Sequence, residues 1–572
     1  MEKQVNENLY NLRHSAAHLL AQAVLELYPT TKLTIGPVKD EGFFYDFKMD
    51  KALTEEDLVC IEDKMRELSK QDFKIVGKDV SKEEAREIFK GNPFKLEIIN
   101  DVDGDTVSIY SQGSFVDLCK GGHVSSTSQI KYFKLTAVSG SYWRADREKD
   151  SLQRIYGVAF ESVEDLEKYL RRIEEAKLYD HRKIGKQLNL FSFHEEAPGL
   201  PFFHDKGLRV YNKLIEYSRH LQRKENYQEV KTPYVMNESL WKTSGHYENY
   251  FKNMYFAIPI DGERNCLRPM NCPGGVLLYK ERPHSYKELP IRMAEYGFDH
   301  RFELSGVLHG LFRVRGFTMD DAHIFCQEEK LASEIESAIK FANKLYSKFG
   351  FERIRMAIST RPQKYIGSDE LWDVATNALK KALTDLGLEY KIQEGEGAFY
   401  GPKIEILIED AMGREWQCGT IQVDFNFPIN FKLEYIAADQ SRKTPAMIHR
   451  AIMGSIERFL GILLEHFKGR LPFWLAPVQV KVLTITNDQE AYAKNVCEKF
   501  NENGIYAELD ISSEKISAKI RDAQIDKVPW MIVIGKKEQE NNTLTLRHFD
   551  GAQEVDLNVE DLVIRAKELM KF

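Results

Sequence analysis

The sequence has no apolar run long enough to cross a membrane, since a spanning helix needs about 18 consecutive apolar residues. Its first residues, Met1 to Asn6, contain no apolar stretch behind a basic start, so we expect no secretory signal. Only seven cysteines are scattered through 572 residues, and this odd, sparse set excludes a disulfide framework. These absences predict a protein of the reducing cytoplasm with no membrane partner.

Basic charge is also in short supply. The 80 lysines and arginines are outnumbered by 88 aspartates and glutamates, which gives a formal net charge of −8. Any contact with nucleic acid must therefore come from local positive patches. Hydrophobic residues make up 43% and charged residues 29%, as in globular proteins with an ample core. At roughly 100–150 residues per domain, the length predicts about three or four domains.

Helical periodicity and irregular breaks divide the chain. Apolar residues at helical spacing predict a helix over 9–27, closed by Pro29. The charge-rich pattern of 163–186 predicts one exposed helix that connects two domains. Irregular stretches at 189–205 and 469–477, each with two prolines, mark two domain boundaries.

The regions on either side of the second break differ in pattern. Before it, consecutive strands separated by short turns predict an antiparallel sheet with helices packed on one side, an α+β arrangement. These strands are 292–303, 312–326, 403–410 and 415–427. After the break, strands and helices alternate over about a hundred residues, which predicts a small α/β domain.

Two pairs of reactive side chains occur in the N-terminal region. His14 and His18 lie four residues apart and share a helix face. Cys119 and His123 have the same spacing near glycines, with Asp117 just before them. Together these residues suit a zinc site or a water-activating pocket. The alternative is that each pair is incidental, because spacing alone does not bring the two pairs together.

The predicted strands of the middle region carry a polar face. Alternation places Met319, Asp321 and His323 on one side of a strand. Arg301 and Glu303 share a face at the end of the preceding strand. Such a set suits an anionic ligand that carries an amine, although an ordinary solvated sheet face would show the same spacing.

A helix predicted over 449–467 is apolar except for a stripe of Gly454, Arg458 and Gly461. Each interior glycine costs on the order of 1 kcal/mol relative to alanine. This cost suggests that a planar ligand approaches the helix and places a phosphate or carboxylate against Arg458. Tight helix packing around a snorkelling arginine is an equal alternative.

Two further signals are weak when taken alone. A glycine-rich turn over 393–403 delivers Lys403 onto a strand, where its ammonium group could bind phosphate, but the turn matches no known phosphate-binding fingerprint. Cys272 lies in a Cys-Pro-Gly-Gly turn and is by default a buried structural cysteine.

Taken together and in order, several segments closely resemble the bacterial-type threonyl-tRNA synthetases, a family of class II aminoacyl-tRNA synthetases. The resemblance extends over nearly the whole chain and rests on HSAAHLL, DLCKGGH, RPMNCPGG, PIRMAEYGFDHRFE, LHGLFRVRGFTMDDAHIFC, STRPQKYIGSDELW, GEGAFYGPKIE, MIHRAIMGSIERFLGILLE and FWLAPVQV. It implies an α+β fold: a class II antiparallel-sheet catalytic core, flanked by an N-terminal α+β editing domain and a C-terminal α/β anticodon-binding domain.

The domain plan of the family implies an editing domain over 1–160, a linker helix over 161–190, a catalytic domain over 191–470 and an anticodon-binding domain over 471–572. We expect the small ubiquitin-like N-terminal domain of longer members to be missing. Pro233 falls in the first signature motif, which in this family lies at the interface of a homodimer.

The resemblance implies ATP-dependent ligation of L-threonine to tRNA(Thr) through threonyl-adenylate, with Mg²⁺ accompanying ATP. Arg301 and Arg458 match the signature arginines that clamp the ATP phosphates. The other matching positions are the nucleotide contacts Glu303 and Arg313, the phosphate or adenylate contact Lys403, and His246, which resembles a histidine that helps acyl transfer.

Cys272, His323 and His449 match the three zinc ligands of the family, with one zinc per subunit. Three protein ligands leave zinc an open position, which the amino group and hydroxyl of threonine would fill. Asp321 would receive the hydroxyl hydrogen bond, and the other implied substrate contacts are Arg301, Tyr400, Gln417 and Met319. Valine lacks the hydroxyl and should be rejected by ~10⁴ or more.

Serine keeps both metal-binding groups and lacks only a methyl group, a deficit of ~1–3 kcal/mol. A second site must therefore hydrolyse seryl-tRNA(Thr). The residues that match this editing site are His14, His18, Cys119, His123, Asp117 and Lys95, and the resemblance implies water activation there without a required metal.

The last hundred residues carry a basic stretch. Lys515, Lys519, Arg521 and Lys527 are candidates for contacts with tRNA phosphates, and a solvated helix face is the ordinary alternative. Local positive charge of this kind would reconcile tRNA binding with the net negative charge.

The sequence departs from the family pattern at a few positions. Met319 stands where the family usually has Gln, Gly275 replaces a common His, and Gly122 replaces a Pro. Two other functions stay open. One is a catalytically lapsed relative that acts as an RNA-binding regulator, although such relatives usually lose signature arginines or metal ligands. The other is a zinc hydrolase built on the N-terminal histidines and cysteine, which would leave 190–572 unexplained.

Overall fold

The computed structural model describes residues 7–39, 41–146, 148–257, 259 and 261–572. The chain forms two compact units, the first ending at Glu174 and the second running from Glu175 to Phe572. Within the described ranges, no helix is both long enough and apolar enough to traverse a lipid bilayer.

The first unit packs two helices against an antiparallel sheet. Its helices are α1 (Glu7–Leu27), α2 (Glu55–Lys70), α3 (Lys82–Ile88) and α4 (Pro93–Asp101). Its strands are β1 (Lys32–Leu33), β2 (Val38–Lys39), β3 (Gly42–Lys48), β4 (Ile75–Ser81), β5 (Thr106–Gln112), β6 (Phe115–Leu118), β7 (Tyr132–Tyr142) and β8 (Ser151–Phe160). One sheet has the order β1-β3-β8-β7 with β2 on β3, and a second has the order β4-β5-β6.

Helix α1 confirms the helix predicted over 9–27. Its apolar residues Leu12, Ala16, Leu19 and Leu20 are buried in the core that α1 and α2 form with the first sheet. The histidine at position 18 is buried on the same helix, with 4% of its surface exposed. A helix buried on most sides can therefore carry polar groups into the interior of this unit.

The prediction of one continuous helix over 163–186 is wrong. The structure has two helices, α5 (Val163–Leu178) and α6 (His181–Gln187). The Asp180 side chain accepts a hydrogen bond from the backbone N–H of Arg182 and so starts a new helix. Helix α5 has no buried residue, as its charge pattern predicted, whereas His181 at the start of α6 is fully buried.

The second unit begins with the region that carries the large sheet. Its helices here are α7 (Asp205–Lys224), α8 (Glu238–Thr243), α9 (His246–Tyr250), α10 (Cys272–Lys280), α11 (Leu331–Ser347), α12 (Asp369–Asp385), α13 (Asn426–Asn430) and α14 (Ile456–His466). Its strands are β9 (Phe191–Ser192), β10 (Phe202–Phe203), β11 (Gln228–Glu229), β12 (Val235–Asn237), β13 (Tyr255–Phe256), β14 (Asn265–Leu267), β15 (His284–Ser285), β16 (Ile291–His300), β17 (Gly316–Cys326), β18 (Ile354–Ser359), β19 (Tyr390–Gln393), β20 (Lys403–Glu409), β21 (Glu415–Asp424), β22 (Tyr435–Ile436), β23 (Arg442–Lys443) and β24 (Ala446–Ser455).

Eight of these strands form one sheet in the order β11-β16-β17-β24-β21-β20-β18-β19. The pairs in its centre are antiparallel, and only the two edge pairs are parallel. Strand β20 shows the pattern of a half-buried strand, with three buried isoleucines alternating with partly exposed residues that are mostly charged. Residues of α7, α11, α12 and α14 share one buried core with this sheet, so the predicted α+β arrangement is confirmed.

The helix predicted to begin at 449 is wrong in its first part. Residues Ala446–Ser455 form β24 and pair with β17 on one side and β21 on the other. The carboxylate of Asp320 accepts the backbone N–H groups of Ile452, Met453 and Gly454 where this strand ends. Gly454 has a φ of +71°, which lets the chain turn there into α14. The spacing of apolar residues did not distinguish the two structures here, because a short apolar run fits a buried strand as well as a helix.

The C-terminal part of the second unit confirms the predicted α/β pattern. Its helices are α15 (Glu490–Glu502), α16 (Ile516–Ile525), α17 (Lys536–Asn541) and α18 (Val559–Leu569). Its strands are β25 (Val480–Thr484), β26 (Ala507–Asp510), β27 (Trp530–Ile534), β28 (Leu544–His548) and β29 (Gln553–Leu557), in the order β26-β25-β27-β28-β29.

One of the four basic residues proposed for tRNA contacts is not at the surface. Lys519 is 1% exposed, and its ammonium donates to the carbonyl oxygens of Thr484 and Asp510 at 3.0 and 3.3 Å. It therefore stabilises the end of β25 rather than presenting charge to a partner. Lys515 and Arg521 are exposed.

Candidate active and editing sites

The sheet of the second unit brings together three side chains that are far apart in the sequence. Cys272 begins α10, and His323 on β17 lies directly opposite His449 on β24. Side chains opposite one another on antiparallel strands are near neighbours, and the two imidazole rings here have centroids 5.0 Å apart at 89°. The sulfur and one nitrogen of each ring lie within 4.8 Å of one another, and all three residues are buried.

The donor atoms of this cluster fit a metal ion. His323 Nε2 is buried and has no hydrogen-bond partner among the described residues. His449 Nε2 donates to Asp424 Oδ2 at 2.9 Å, which leaves Nδ1 with its lone pair available. The other Asp424 oxygen accepts the N–H groups of Asn426 and Phe427, so the carboxylate that orients His449 is itself fixed. Metal-binding histidines commonly have such a carboxylate partner.

Burial alone disfavours charge at this cluster. It raises the pKa of the Cys272 thiol well above its usual value and lowers the pKa of His323. A cation would reverse the first shift, because a coordinating thiol is deprotonated. Two imidazoles and one thiolate are a ligand set that suits zinc, with a position left for another ligand.

A cavity of about 220 Å³ opens beside the cluster. It is lined by Met270, Cys272, Asp299, Arg301, Met319, Asp321, Tyr400, Thr420, Gln422, His449, Arg450 and Ala451. Of the residues predicted to contact the amino acid, Arg301, Met319, Asp321 and Tyr400 therefore share one cavity with two of the candidate metal ligands. Asp321 is oriented by Asn271, whose amide donates to its Oδ2 at 3.3 Å, and burial raises its pKa.

Gln417 is the predicted substrate contact that does not line this cavity. It is an exposed residue of β21, whereas Gln422 on the same strand lines the cavity and donates to the carbonyl oxygen of Gly401 at 2.8 Å. Asp424 and Gln422 are two residues that the sequence reasoning missed. Neither lies in a distinctive motif. Both lie on β21, two residues apart, so that they share one face of a strand that ends beside the cluster.

The predicted nucleotide contacts lie around the loop between β16 and β17 and at the start of α14. Arg301 donates through Nε to the carbonyl of Pro269 at 3.2 Å, and its guanidinium stacks over Phe317 at 5.1 Å. Glu303 and Arg313 form an ion pair at 2.9 Å. Arg458 lies in the first turn of α14 with its Nε buried and unpaired among the described residues, so this guanidinium has donors available for an anion.

Lys403 and His246 are held by other groups. The Lys403 ammonium pairs with Glu405 at 2.6 Å. His246 is fully buried: its Nδ1 lies 2.8 Å from Ser244 Oγ, and its Nε2 lies 3.1 Å from the sulfur of Met270, which lines the cavity. Burial lowers the pKa of His246 to about 3, so this imidazole is neutral at physiological pH.

The first unit holds a second cluster of histidine and cysteine. His14 and His18 project from α1, and Cys119 and His123 follow β6. Cys119 Sγ lies 3.4 Å from His14 Nε2 and 3.1 Å from His123 Nε2. The Ser15 hydroxyl lies 3.1 Å from His123 Nδ1. The two pairs of the sequence therefore meet in space, and the reading of each pair as incidental does not hold.

A buried carboxylate lies beneath this second cluster. Asp117 accepts a hydrogen bond from the hydroxyl of Tyr45 at 2.6 Å and pairs with the ammonium of Lys95 at 2.5 Å. His18 Nε2 lies 3.9 Å from the same carboxylate. Tyr45, on β3, was missed by the sequence reasoning because nothing in its neighbourhood marks it as polar. The group gives His18 and Lys95 fixed positions next to the cluster.

Burial keeps the second cluster uncharged. It lowers the pKa of His123 to about 2 and raises the pKa of Cys119 to about 11. A neutral imidazole keeps a lone pair that can accept a hydrogen bond from water, but a pKa of about 2 makes His123 a weak base, so it suits orienting water rather than holding its proton. A cavity of about 650 Å³ opens beside the cluster, and Ile35, Pro37, Ile98 and Val107 contribute an apolar wall to it.

Comparison with known proteins assigns three regions of the chain. Residues 107–156 match the second additional domain of threonyl and alanyl tRNA synthetases, 255–467 match the class II core domain of tRNA synthetases (G, H, P, S and T), and 479–569 match an anticodon binding domain. A threonine–tRNA ligase of Desulforapulum autotrophicum is 51% identical over 564 residues, which cover 98% of this chain and 88% of the relative. The chain belongs to the threonyl-tRNA synthetase family.

Other members of the threonyl-tRNA synthetase family agree. A threonine–tRNA ligase of Clostridium tetani is 52% identical over 544 residues, covering 95% of this chain and 85% of the relative. A crystal structure described as the RNA binding domain of threonyl-tRNA synthetase from Cryptosporidium parvum Iowa II has a TM-score of 0.67 and 42% identity, and covers 68% of this chain and 98% of that structure.

Membership of the threonyl-tRNA synthetase family confirms the fold expected from the motifs. The class II core, the anticodon-binding domain and the editing-type domain are all present and in the expected order. The hydrolase alternative fails, because a class II core and an anticodon-binding domain occupy most of the region that it left unexplained.

Proposed function

We propose that this chain ligates L-threonine to tRNA(Thr) with ATP, and that its N-terminal unit hydrolyses seryl-tRNA(Thr). The observation that carries the proposal is the shared cavity of the second unit, which is lined by Arg301 and by Cys272 and His449 of the buried Cys272–His323–His449 cluster. An amino acid that binds the cluster through its amine would present its carboxylate to a site with an anion-binding arginine.

We assign the activation step to positioning and charge neutralisation. The threonine carboxylate attacks the α-phosphorus of ATP, the bond to the bridging oxygen breaks, and pyrophosphate leaves. Arg301 and Arg458 would neutralise charge on the phosphates, because each guanidinium has donors that protein groups do not use up. Glu303, Arg313 and Lys403 would contact the nucleotide, and ATP would bring its own Mg²⁺.

We assign amino-acid selection to the cluster and Asp321. Zinc held by Cys272, His323 and His449 would supply a Lewis-acid site that recognises the amine and the hydroxyl of threonine together. Asp321 would accept the hydroxyl hydrogen bond, with Asn271 holding its orientation. A valine side chain would leave these polar groups unpaired, so its rejection should reach about 10⁴-fold. Met319 and Tyr400 would complete the wall of the pocket.

His246 is the group we assign to acyl transfer. In this step the terminal ribose hydroxyl of the tRNA attacks the carbonyl carbon of threonyl-adenylate, and AMP leaves. Because its pKa is about 3, His246 would orient the ribose hydroxyl through a hydrogen bond rather than hold its proton, which would leave with the phosphate of AMP. The contact of its Nε2 with Met270 lies next to the wall of the cavity.

We assign editing to the cluster of the first unit. Serine differs from threonine by one methyl group, which is worth only ~1–3 kcal/mol in a binding pocket. Neutral His14, His18 and His123 next to Cys119 would orient water for attack on the seryl ester, whose acyl–oxygen bond breaks so that serine and the ribose hydroxyl of the tRNA, which takes the proton of the water, are released. Lys95 and Asp117 would keep His18 in place. The contacts of Cys119 with His14 and His123 support a role without a required metal.

We also propose that the chain forms a homodimer in the cytoplasm, where tRNA, ATP and threonine meet. Pro233 lines a groove of about 740 Å³, and the same groove is lined by Leu277, which is 44% exposed. Val235, 52% exposed, and Ile429, 50% exposed, each precede a lining residue, Met236 and Asn430, in the chain. Exposed apolar side chains of this kind support an interface at this face.

Exchange assays test the proposal directly. The purified chain should catalyse threonine-dependent ATP–pyrophosphate exchange, with serine accepted within about two orders of magnitude and valine rejected by about 10⁴-fold. The variant His14→Ala should accumulate seryl-tRNA(Thr) while its threonine exchange stays within about twofold of the parent, since the two clusters belong to different units. Sedimentation analysis should find two subunits per particle.

A chain that binds tRNA but shows no exchange with threonine would instead be the lapsed relative considered above. The two relatives described above, both named as ligases and about half identical over at least 95% of this chain, argue against that function. Normal clearance of seryl-tRNA(Thr) by His14→Ala would move the editing site away from this cluster.

A further inference from the structure

A third group of titratable side chains lies outside both clusters. His181, at the start of α6, is fully buried and shares a site with Asp180 and with Glu465 near the end of α14. Both ring nitrogens of His181 are used. Leu311 N–H donates to Nε2 at 3.0 Å, and Nδ1 lies 2.7 Å from Glu465 Oε1. Neither nitrogen is left for a metal ion.

These contacts fix the tautomer of the imidazole. A backbone N–H can only donate, so Nε2 carries the lone pair and the proton must lie on Nδ1, where it is donated to Glu465. Glu465 also accepts the backbone N–H of His181 at 2.9 Å and forms an ion pair with Arg414 at 2.6 Å. Glu465 therefore fixes the position of the His181 ring, and the ring in turn fixes the backbone of the loop residue Leu311.

The loop that donates this hydrogen bond, through Leu311 N–H, carries Glu303 and Arg313. We define this nucleotide loop as residues 301–315. Its tip is unusually well anchored for an exposed connection: Leu311 is fully buried and Phe312 is 9% exposed. The Phe312 ring lies 4.0 Å from the His181 ring and 4.5 Å from the ring of Trp416. Arg313, by contrast, is 55% exposed in its side chain.

Two glycines make this close approach possible. Gly310 has a φ of +48°, and a Cβ there would lie 2.2 Å from His181 Nε2. A Cβ at Gly461 on α14 would lie 2.9 Å from the Phe312 ring. The sequence suggested that a planar ligand approaches the helix at Gly461. In the structure, the residue that packs against Gly461 is Phe312, at the tip of the nucleotide loop.

Further contacts connect this group to Arg458, one of the two signature arginines. Asp410 accepts hydrogen bonds from Arg414 Nε and Trp416 Nε1, both at 2.8 Å. The indole of Trp416 lies 5.9 Å from the guanidinium of Arg458. His181, Glu465, Arg414, Asp410, Trp416 and Phe312 thus form a closed chain of contacts.

We propose that His181 is a positioning residue for ATP binding, which acts by accepting the Leu311 N–H hydrogen bond and so fixing the nucleotide loop relative to α14. This inference rests on the proposed function, since it assigns ATP to Arg313, Glu303 and Arg458. It gives the segment after α5 a part in the chemistry of the second unit.

Two substitutions separate the two hydrogen bonds of the ring. In His181→Gln the amide oxygen can replace Nε2 as acceptor for Leu311, whereas in His181→Asn the shorter amide can replace Nδ1 as donor to Glu465 and leaves the Leu311 N–H unpaired. We expect His181→Asn to raise the KM for ATP by at least about fivefold, because an unpaired buried donor is costly. The KM for threonine should change by less than about twofold, and His181→Gln should keep the KM for ATP within about twofold of the parent.

Hydrogen exchange of the nucleotide loop gives a readout that needs no activity. The peptide that contains 308–313 should exchange faster in His181→Asn than in the parent and His181→Gln, measured by mass spectrometry in the absence of substrates. Gly310→Ala disturbs the same contact from the loop side, so it should behave like His181→Asn and serves if that variant folds poorly. His204→Asn is the matched control, since His204 also uses both ring nitrogens, with Asn189 and Ser192, and lies outside this chain of contacts.

The outcomes are decisive in both directions. Unchanged loop exchange in His181→Asn and Gly310→Ala, or equal KM values for ATP in His181→Asn and His181→Gln, would overturn the positioning role. Absence of threonine-dependent exchange in the parent would reject the proposed function, whereas the loop exchange would still report whether His181 fixes the loop.

Discussion

The two histidine–cysteine clusters are built from the same residue types. They differ in whether the donor atoms of these residues contact one another. In the first unit, Cys119 Sγ contacts the imidazoles of His14 and His123. In the second, His323 Nε2 is buried with no hydrogen-bond partner among the described residues, its nearest carboxylate oxygen being that of Asp321 at 3.7 Å, and His449 is oriented by a carboxylate. Both sets of donor atoms lie close enough together to hold a metal ion. Donor atoms that already contact one another favour a pocket for water in the first cluster, whereas a donor without a hydrogen-bond partner favours a metal ion in the second.

The surroundings of the clusters reinforce this difference. The cluster of the second unit is fully enclosed between α10 and two strands, and its cavity is about a third the size of the one in the first unit. Three of the four residues in the first cluster are only half-buried and face a cavity of about 650 Å³. Residue composition alone therefore does not decide the chemistry of such a cluster.

The largest expected effect comes from replacing the single cysteine of each cluster by alanine. Cys272→Ala should lose bound zinc and reduce threonine-dependent exchange by about 10³-fold or more, because a metal supplies several kcal/mol of charge stabilisation. Cys119→Ala should keep zinc and exchange but clear seryl-tRNA(Thr) at least about 10²-fold more slowly. Metal content by mass spectrometry and the two assays, run on both variants, check this.

If Cys119→Ala also lost one equivalent of zinc, the first cluster would be a metal site as well. The proposed difference between the two clusters would then be wrong. Full exchange by Cys272→Ala after removal of metal would show that selection of threonine does not depend on the second cluster.

A smaller effect is expected from the carboxylate behind His449. Asp424→Asn keeps the size of the side chain but removes the charge that holds the Nε2 proton, so zinc affinity should fall by about 10–100-fold. Competition with a chelator measures this affinity. Asp410→Asn is the matched control, because Asp410 is also buried and accepts backbone N–H groups but lies away from the cluster. Equal zinc affinity in the two variants would contradict the assigned role of Asp424.

The smallest expected effect concerns the buried group of the first unit. Tyr45→Phe removes one hydrogen bond to Asp117 while the Lys95 ion pair remains, so hydrolysis of seryl-tRNA(Thr) should slow by roughly threefold to tenfold. Threonine exchange should be unchanged. Tyr28→Phe removes a hydrogen bond to Asp57 in the same unit and should leave hydrolysis unaffected. A loss as large as that of Cys119→Ala would mean that Tyr45 itself contacts the substrate.

The order and type of most elements were predictable from the sequence. The helix at 9–27, the exposed character of α5, the antiparallel sheet and the alternating C-terminal domain follow from periodicity, because burial on one face imposes a period that can be read directly. The motifs gave the family. The prediction of helix over 449–455 was wrong, since this part of β24 is largely buried on both faces and lacks the alternation that distinguishes a strand from a helix.

The sequence by itself determined which residues are available for chemistry, because side-chain type and local spacing are written in it. Only the tertiary structure decided which of them meet and which keep a free lone pair. Cys272, His323 and His449 come together through the packing of distant segments, and Lys519 is buried although Arg521 on the same helix is exposed. Long-range contact is set by the packing of whole elements, and no short stretch of sequence carries that information.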